Sequence, residues 1–194
     1  MQAKKYLVVI TEKRNFTKAI SSEIFTIISK ASKNTNLESY VIGGFVRDYF
    51  LQRGTAKDID VVAIGSGIDL ALAVSKLLPN NPKVQVFKTY GTAMLRYKDL
   101  EIEFVGARKE SYSEESRNPK VISGTLQDDQ NRRDFTINAL ALSLNEDSFG
   151  NLLDPFNGMA DLQLKTIKTP LNPDITYSDD PLRMMRAIRF ATQL

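Results

Sequence analysis

Apolar residues recur along this chain first at helical spacing and then in short alternating runs, and the change of period outlines most of its elements. From Asn15, a residue suited to capping a helix, Phe16, Ile20, Ile24, Ile27 and Ala31 form one stripe, predicting a helix that Asn34 to Asn36 ends. A strand begins near Glu38, and Tyr40-Val41-Ile42 is rich in strand formers. It breaks at Gly43-Gly44, and Phe45 to Gln52 returns to helical spacing, with Phe45, Tyr49 and Leu51 apolar and Arg47, Asp48 and Gln52 polar. Arg53-Gly54 ends that turn, and Asp58 to Ile64 reads as a second strand. Met1 to Arg14 stays ambiguous, with Tyr6 to Ile10 either a strand or a tail.

Further on, Gly65-Ser66-Gly67 leads into a helix from about Ile68 to Leu78, stopped by Pro79-Asn80-Asn81-Pro82. The glycines fit a strand-to-helix turn better than a phosphate loop. Val84 and Val86 mark a third strand, and Thr92 to Tyr97 with Leu100 to Val105 form a hairpin turned at Lys98-Asp99. Arg108 to Thr125 is polar and reads as a long mobile loop, in which Arg117 is either a phosphate contact or a solvated arginine. Asp129 to Ala139 is expected to be helical, with Phe135, Ala139 and Leu142 toward one side and Arg132, Arg133 and Asn138 offering donors. A second hairpin joins Leu140 to Leu144 with Asn151 to Leu153, and a final helix starts at Asp179 or Asp180 with Pro181 in its first turn. A crossover helix between strands makes the whole α/β (α+β), with a mixed sheet and flanking helices.

Chemistry concentrates at the second strand. Side chains alternate along a strand, so Asp58 and Asp60 share one face while Ile59 points into the core. Adjacent carboxylates repel unless a cation sits between them. The chain has no His and no Cys, so a metal here must be held by oxygen, which suits Mg2+. Two glycines opening a short helix make a seat for phosphate. Phosphate and paired carboxylates within one stretch point to phosphoryl or nucleotidyl transfer.

Composition narrows the classes further. At 194 residues, 42% hydrophobic and 25% charged, the chain is that of a globular domain able to bury its own core. Missing Cys removes disulfides and thiolate zinc sites, and missing His removes Ser-His-Asp triads. A net charge of +3 permits nucleic-acid contact without arguing for it. The longest apolar run near the start, Tyr6 to Ile10, is too short for a signal or membrane segment, leaving the cytoplasm as the default location.

The string GGFVRDYFLQRGTAKDID resembles the active-site motif of the class II tRNA nucleotidyltransferases and bacterial poly(A) polymerases, within the DNA polymerase β superfamily. RRDFTINA, DPFNGMADL and DDPLRMMRAIRF follow in the family's order, so the resemblance runs from about Tyr40 to Leu194. It implies a nucleotidyltransferase head at 1–169, a hinge near Thr169-Pro170, and the start of a helical neck at 170–194. The chain is then expected to be a fragment of a longer protein, or an unusually minimal one.

The implied reaction moves CMP or AMP from CTP or ATP to an RNA 3′ end, and the resemblance leaves CCA addition, A-only addition and poly(A) synthesis all open. Under the resemblance Asp58 and Asp60 hold two Mg2+ ions, and Glu103 falls at the family's acidic position on the neighbouring strand. Glu101, on the same strand face, reads as a solvated edge carboxylate. Gly43, Gly44, Arg47 and Asp48 are implied on the triphosphate side, and Arg132, Arg133, Asp134 and Asn138 in nucleotide recognition. Asp180 and Arg183 are implied as an amino-acid template for the incoming base, although spacing alone makes them a helix cap and its partner. A small-molecule nucleotidyltransferase or a non-catalytic nucleotide-binding module is the alternative from another class.

Overall fold

Thirteen residues from Glu23 to Thr35 form helix α1, whose buried Ile24, Phe25, Ile28 and Ala31 recur at helical spacing. It starts later than the apolar stripe predicts. Asn15 accepts the Thr17 amide in a local turn, Thr17–Ile20 winds as a single 3-10 turn, and only then does the α-helix begin. The computed structural model describes residues 15–54, 56–113 and 116–194, and of 110–113 and 116–120 the backbone alone. Tyr6 to Ile10 and the side chain of Arg117 lie outside the described residues.

Strand β1 (Glu38–Ile42), helix α2 (Gly44–Phe50), strand β2 (Asp58–Ile64) and helix α3 (Gly67–Leu77) fall where the pattern puts them. Ser66 caps α3 by accepting from the Asp69 amide, so Gly65-Ser66-Gly67 is the strand-to-helix turn. A Cβ on Gly67 would meet the Val105 and Gly106 backbone at 2.7–2.8 Å, so the glycine lets α3 start against the next strand. Strands β3 (Val84–Phe87), β4 (Thr92–Tyr97) and β5 (Leu100–Gly106) follow. Strands β8 (Ala141–Ser143) and β9 (Leu152–Leu153) complete a sheet ordered β3-β4-β5-β2-β1-β8-β9. Among the described residues, only β2 and β5 run parallel within it.

One face of this sheet is dry. Ile59, Val61, Ala63, Ile102, Phe104, Ala93 and Leu95 turn toward α1 and α3 and build the main core. The opposite face buries a smaller apolar cluster near β1 and β8, where Tyr40, Ile42, Val62 and Ala141 meet Ala107. Along β2 and β5 that face carries the carboxylates, with Val62, Val105 and Met94 beside them.

Two expectations need correcting. Residues 108–125 are not a loop: β6 (Arg108–Ser113) and β7 (Ser116–Ser123) pair as an antiparallel ribbon. The ribbon stands apart from the main sheet, and Val121 and Ile122 remain 49% and 63% exposed. With neither described apolar side chain buried, no alternation marks it. Nor does one helix run through Asp129 to Ala139. Helix α4 (Leu126–Asn131) stops at Arg132, and Phe135 is extended. The Asp134 carboxylate takes the Phe135 amide at 2.8 Å, a side-chain competitor for the helical hydrogen bond. Helices α5 (Gly158–Gln163), α6 (Pro173–Asp179) and α7 (Leu182–Ala191) close the chain. No helix among the described residues is long and apolar enough to cross a membrane.

Candidate active site

The site grows from the parallel pairing of β2 with β5. Its register sets Asp58 beside Glu101 and Asp60 beside Glu103, all on the face opposite the main core. Glu101 also lies opposite Arg96 on β4 and forms an ion pair with it. Glu103 faces Met94 instead, and among the described residues it has no ion pair. Burial pushes the Asp60 carboxyl above the usual carboxylate range. Arg133 opposes that rise, while Glu103, Asp58 and Asp129 add to it.

Gly43 supplies the floor. Its φ of +80° is a left-handed value that favours glycine, and an added Cβ would lie 3.0 Å from Arg133 Nη1 and 3.6 Å from Asp60. Next to it, Arg47 is nearly buried. Its Nε and Nη2 donate to the two Asp48 oxygens at 2.8 and 2.9 Å, and Nη1 donates to Asn138 Oδ1 at 2.6 Å. Asn138 Nδ2 donates to Asp134 Oδ1 at 3.0 Å, and Arg186 reaches Asp134 Oδ2 with Nε and Nη2 at 2.7 Å each. One polar chain thus links α2 to α7 through the RRDFTINA segment.

Above this chain lies a cleft of about 440 Å3 lined by Gly43, Gly44, Asp60 and Arg133, with Arg186 and Arg189 on the α7 side. Asp48 stands behind Arg47 and is not part of the lining. Arg132 and Arg133 are held by Asp129, which is completely buried. Its Oδ1 accepts from Arg132 Nε and Nη2 at 2.9 and 2.5 Å, and its Oδ2 accepts from Arg133 Nε at 3.2 Å. Arg186, Arg189 and Asp129 escaped the sequence reading. The three-residue spacing of Arg183, Arg186 and Arg189 was the available signal for the first two, and the i,i+3 and i,i+4 offsets from Asp129 for the third.

Asp180 and Arg183 are not brought together as a side-chain pair. Asp180 caps α7 by accepting the Leu182 amide at 3.1 Å. The Arg183 guanidinium turns to backbone carbonyls instead, Thr176 at 3.3 Å and Arg132 at 2.8 Å. It lines a separate cleft beside Asp179 and Lys109, not the one at Asp60.

No group of three or more carboxylates among the described residues is close enough to cage a metal ion. Two carboxylates on one face, one of them resisting ionisation, fit a hard divalent cation that completes its shell with water and substrate oxygens.

Residues 39–168 match the family model described as the poly A polymerase head domain. Among curated proteins, the chain is 40% identical over 158 residues to an A-adding tRNA nucleotidyltransferase of Aquifex aeolicus, covering 81% of this chain and 19% of that protein. It is 36% identical to a CCA-adding enzyme of Anoxybacillus flavithermus, covering 81% and 37% respectively. A solved apo structure of a CCA-adding enzyme superposes with a TM-score of 0.82 at 35% identity, over 92% of this chain and 43% of that one. The chain therefore spans less than half the length of these relatives. On the family match and these likenesses, it belongs to the class II tRNA nucleotidyltransferase and bacterial poly(A) polymerase family, of which it carries the head domain.

Proposed function

We propose that the chain carries the catalytic head of a template-independent RNA nucleotidyltransferase that adds CMP and AMP from CTP and ATP to the 3′ end of tRNA. The observation that carries this reading is the Asp60–Glu103 row bordering an arginine-lined cleft floored by Gly43. Carboxylates beside cationic phosphate seats are what nucleotidyl transfer requires. Relatives support the substrate class: one solved tRNA nucleotidyltransferase at 35% identity holds a primer tRNA and an ATP analogue, and CCA-adding enzymes have been solved with ATP and with CTP.

In this reading Arg47, Arg133, Arg186 and Arg189 bind and orient the triphosphate, with Gly43 and Gly44 admitting it close to the backbone. Asp134 and Asn138 keep Arg47 and Arg186 aimed, and Asp48 does the same for Arg47 from behind. Asp58 and Asp60 would hold Mg2+, which when bound lowers the cost of charge on the attacking 3′-oxygen and the departing pyrophosphate. The new bond joins that oxygen to the α-phosphorus as the bond to the β-phosphate oxygen breaks. Glu103 adds negative charge beside Asp60. The segment after Thr169-Pro170 is proposed as the start of the neck, with α7 contributing Arg186 and Arg189 to the head's cleft.

The test is transfer by the full-length protein to tRNA lacking its CCA end, with the products sequenced. CCA ends are expected; A-only ends or long A tails would assign the other activities of the family. Loss of all transfer in Asp58→Asn and Asp60→Asn is expected, and near-normal turnover by either with Mg2+ would overturn the two-metal assignment.

A further inference from the structure

The carboxylate face continues past the arginine-lined cleft in the opposite direction. Register places Val62, Val105, Thr92 and Phe87 side by side on β2, β5, β4 and β3, one row beyond Asp60 and Glu103. A second concavity of about 470 Å3 opens there, sharing Asp60 and Arg133 with the first and walled by Phe87 and Tyr90. Phe87 is 43% and Tyr90 71% exposed, large aromatic surfaces left in water at the edge strand and its turn. Three strand spacings separate Phe87 from β2, about 14 Å, a span that a nucleotide and an aromatic side chain bridge together.

Displacement at phosphorus is in line, so the attacking hydroxyl arrives opposite the leaving pyrophosphate. If the triphosphate occupies the arginine-lined cleft, the acceptor must enter from the other side of Asp60, where these aromatics stand. We propose that Tyr90, with Phe87, is a stacking platform for the terminal bases of the single-stranded RNA acceptor. Stacking suits this place because every base offers a π-face and the platform tolerates any sequence. The inference rests on the proposed reaction for its direction, and its test does not depend on turnover.

The experiment measures equilibrium binding of a labelled single-stranded RNA oligomer, without nucleotide, to the intact chain and to Tyr90→Ala, Phe87→Ala and Tyr90→Phe. Each protein meets two versions of the oligomer, one ending in a normal nucleotide and one in an abasic ribose. The unaltered chain is expected to bind the base-bearing end about tenfold tighter, the size of one stacked base. Tyr90→Ala should bind both ends equally weakly, Phe87→Ala should lose part of the difference, and Tyr90→Phe should keep it. ATP affinity should not change in any variant. Tyr90 sits in an exposed turn, so an unchanged melting temperature serves as the folding check. Equal binding of the two oligomers by the unaltered chain overturns the platform. So does a Tyr90→Ala variant that still prefers the base-bearing end, or one that loses ATP instead of RNA. A protein that fails to transfer nucleotides yet shows the base-dependent binding counts against the reaction and leaves the platform standing.

Discussion

Asp60 bears a cost that its burial explains. Because burial holds its carboxyl above the usual range, the folded chain keeps a proton where the unfolded chain has released it. Stability therefore falls as pH rises through that window. Asp60→Asn is expected to abolish transfer while raising the melting temperature of the metal-free protein at pH 7, an effect that thermal unfolding at pH 7 and pH 4 would show shrinking toward acid. Glu103 and Glu101 should part company: Glu101 is matched by Arg96, whereas Glu103 stands beside Asp60. Single-turnover rates are expected to fall further in Glu103→Gln than in Glu101→Gln, and equal rates would make both ordinary edge carboxylates. Asp129 is the residue with most to lose. Its buried carboxylate serves two arginines, so Asp129→Asn should destabilise the fold by about 3 kcal/mol. Calorimetry reads that loss, and a raised nucleotide KM would show the arginines released.

Elements with a buried face were the legible ones. β2 and β5 alternate Ile59, Val61, Ile102 and Phe104 against carboxylates, and the period of two is visible because one side is dry. The β6–β7 ribbon lacks such a side, so its polar sequence reads as a loop although its backbone groups pair. Helix α4 shows a different limit. Its Thr125 cap was concealed by the apparent helix beyond it, which the Asp134 side chain ends by taking a backbone amide. Thr125 and Asp128 form a capping box, and the hydrogen bonds from Thr125 hold the Asp128 carboxyl below its usual range. Stability from Asp128 is therefore present above the ordinary carboxylate pKa and lost as pH falls below it. Thr125→Ala should cost about 1 kcal/mol by urea unfolding. Since α4 presents Asp129, nucleotide affinity should weaken with it. The template pair shows both sides: the sequence marks Asp180 as a helix cap, as the structure has it, but nothing in DDPLR says that Arg183 grips two carbonyls.

At the scale of the molecule, α7 is fastened to the rest by polar and aromatic contacts. Arg186 pairs with Asp134, Arg183 reaches the Arg132 carbonyl, and Phe190 packs edge-on against Phe135 with centroids 5.7 Å apart. Its outward side keeps Leu182, Met185 and Ile188 about 60% exposed. Arg186→Ala should therefore loosen the last helix as well as weaken nucleotide binding, seen as faster amide exchange over 182–191 while β2 and β5 stay protected. The parallel register of β2 and β5 has a further consequence for how the protein can fail. A slip of β2 by one residue would turn Asp58 and Asp60 inward and Ile59 and Val61 into water, so a misregistered chain gains nothing by collapsing. The carboxylate row and the oily row are two sides of one decision made during folding. A refolded preparation should then contain molecules that are fully competent or aggregated, with no soluble fraction of well-formed but inert protein, and active-site titration of the soluble pool should approach one site per chain.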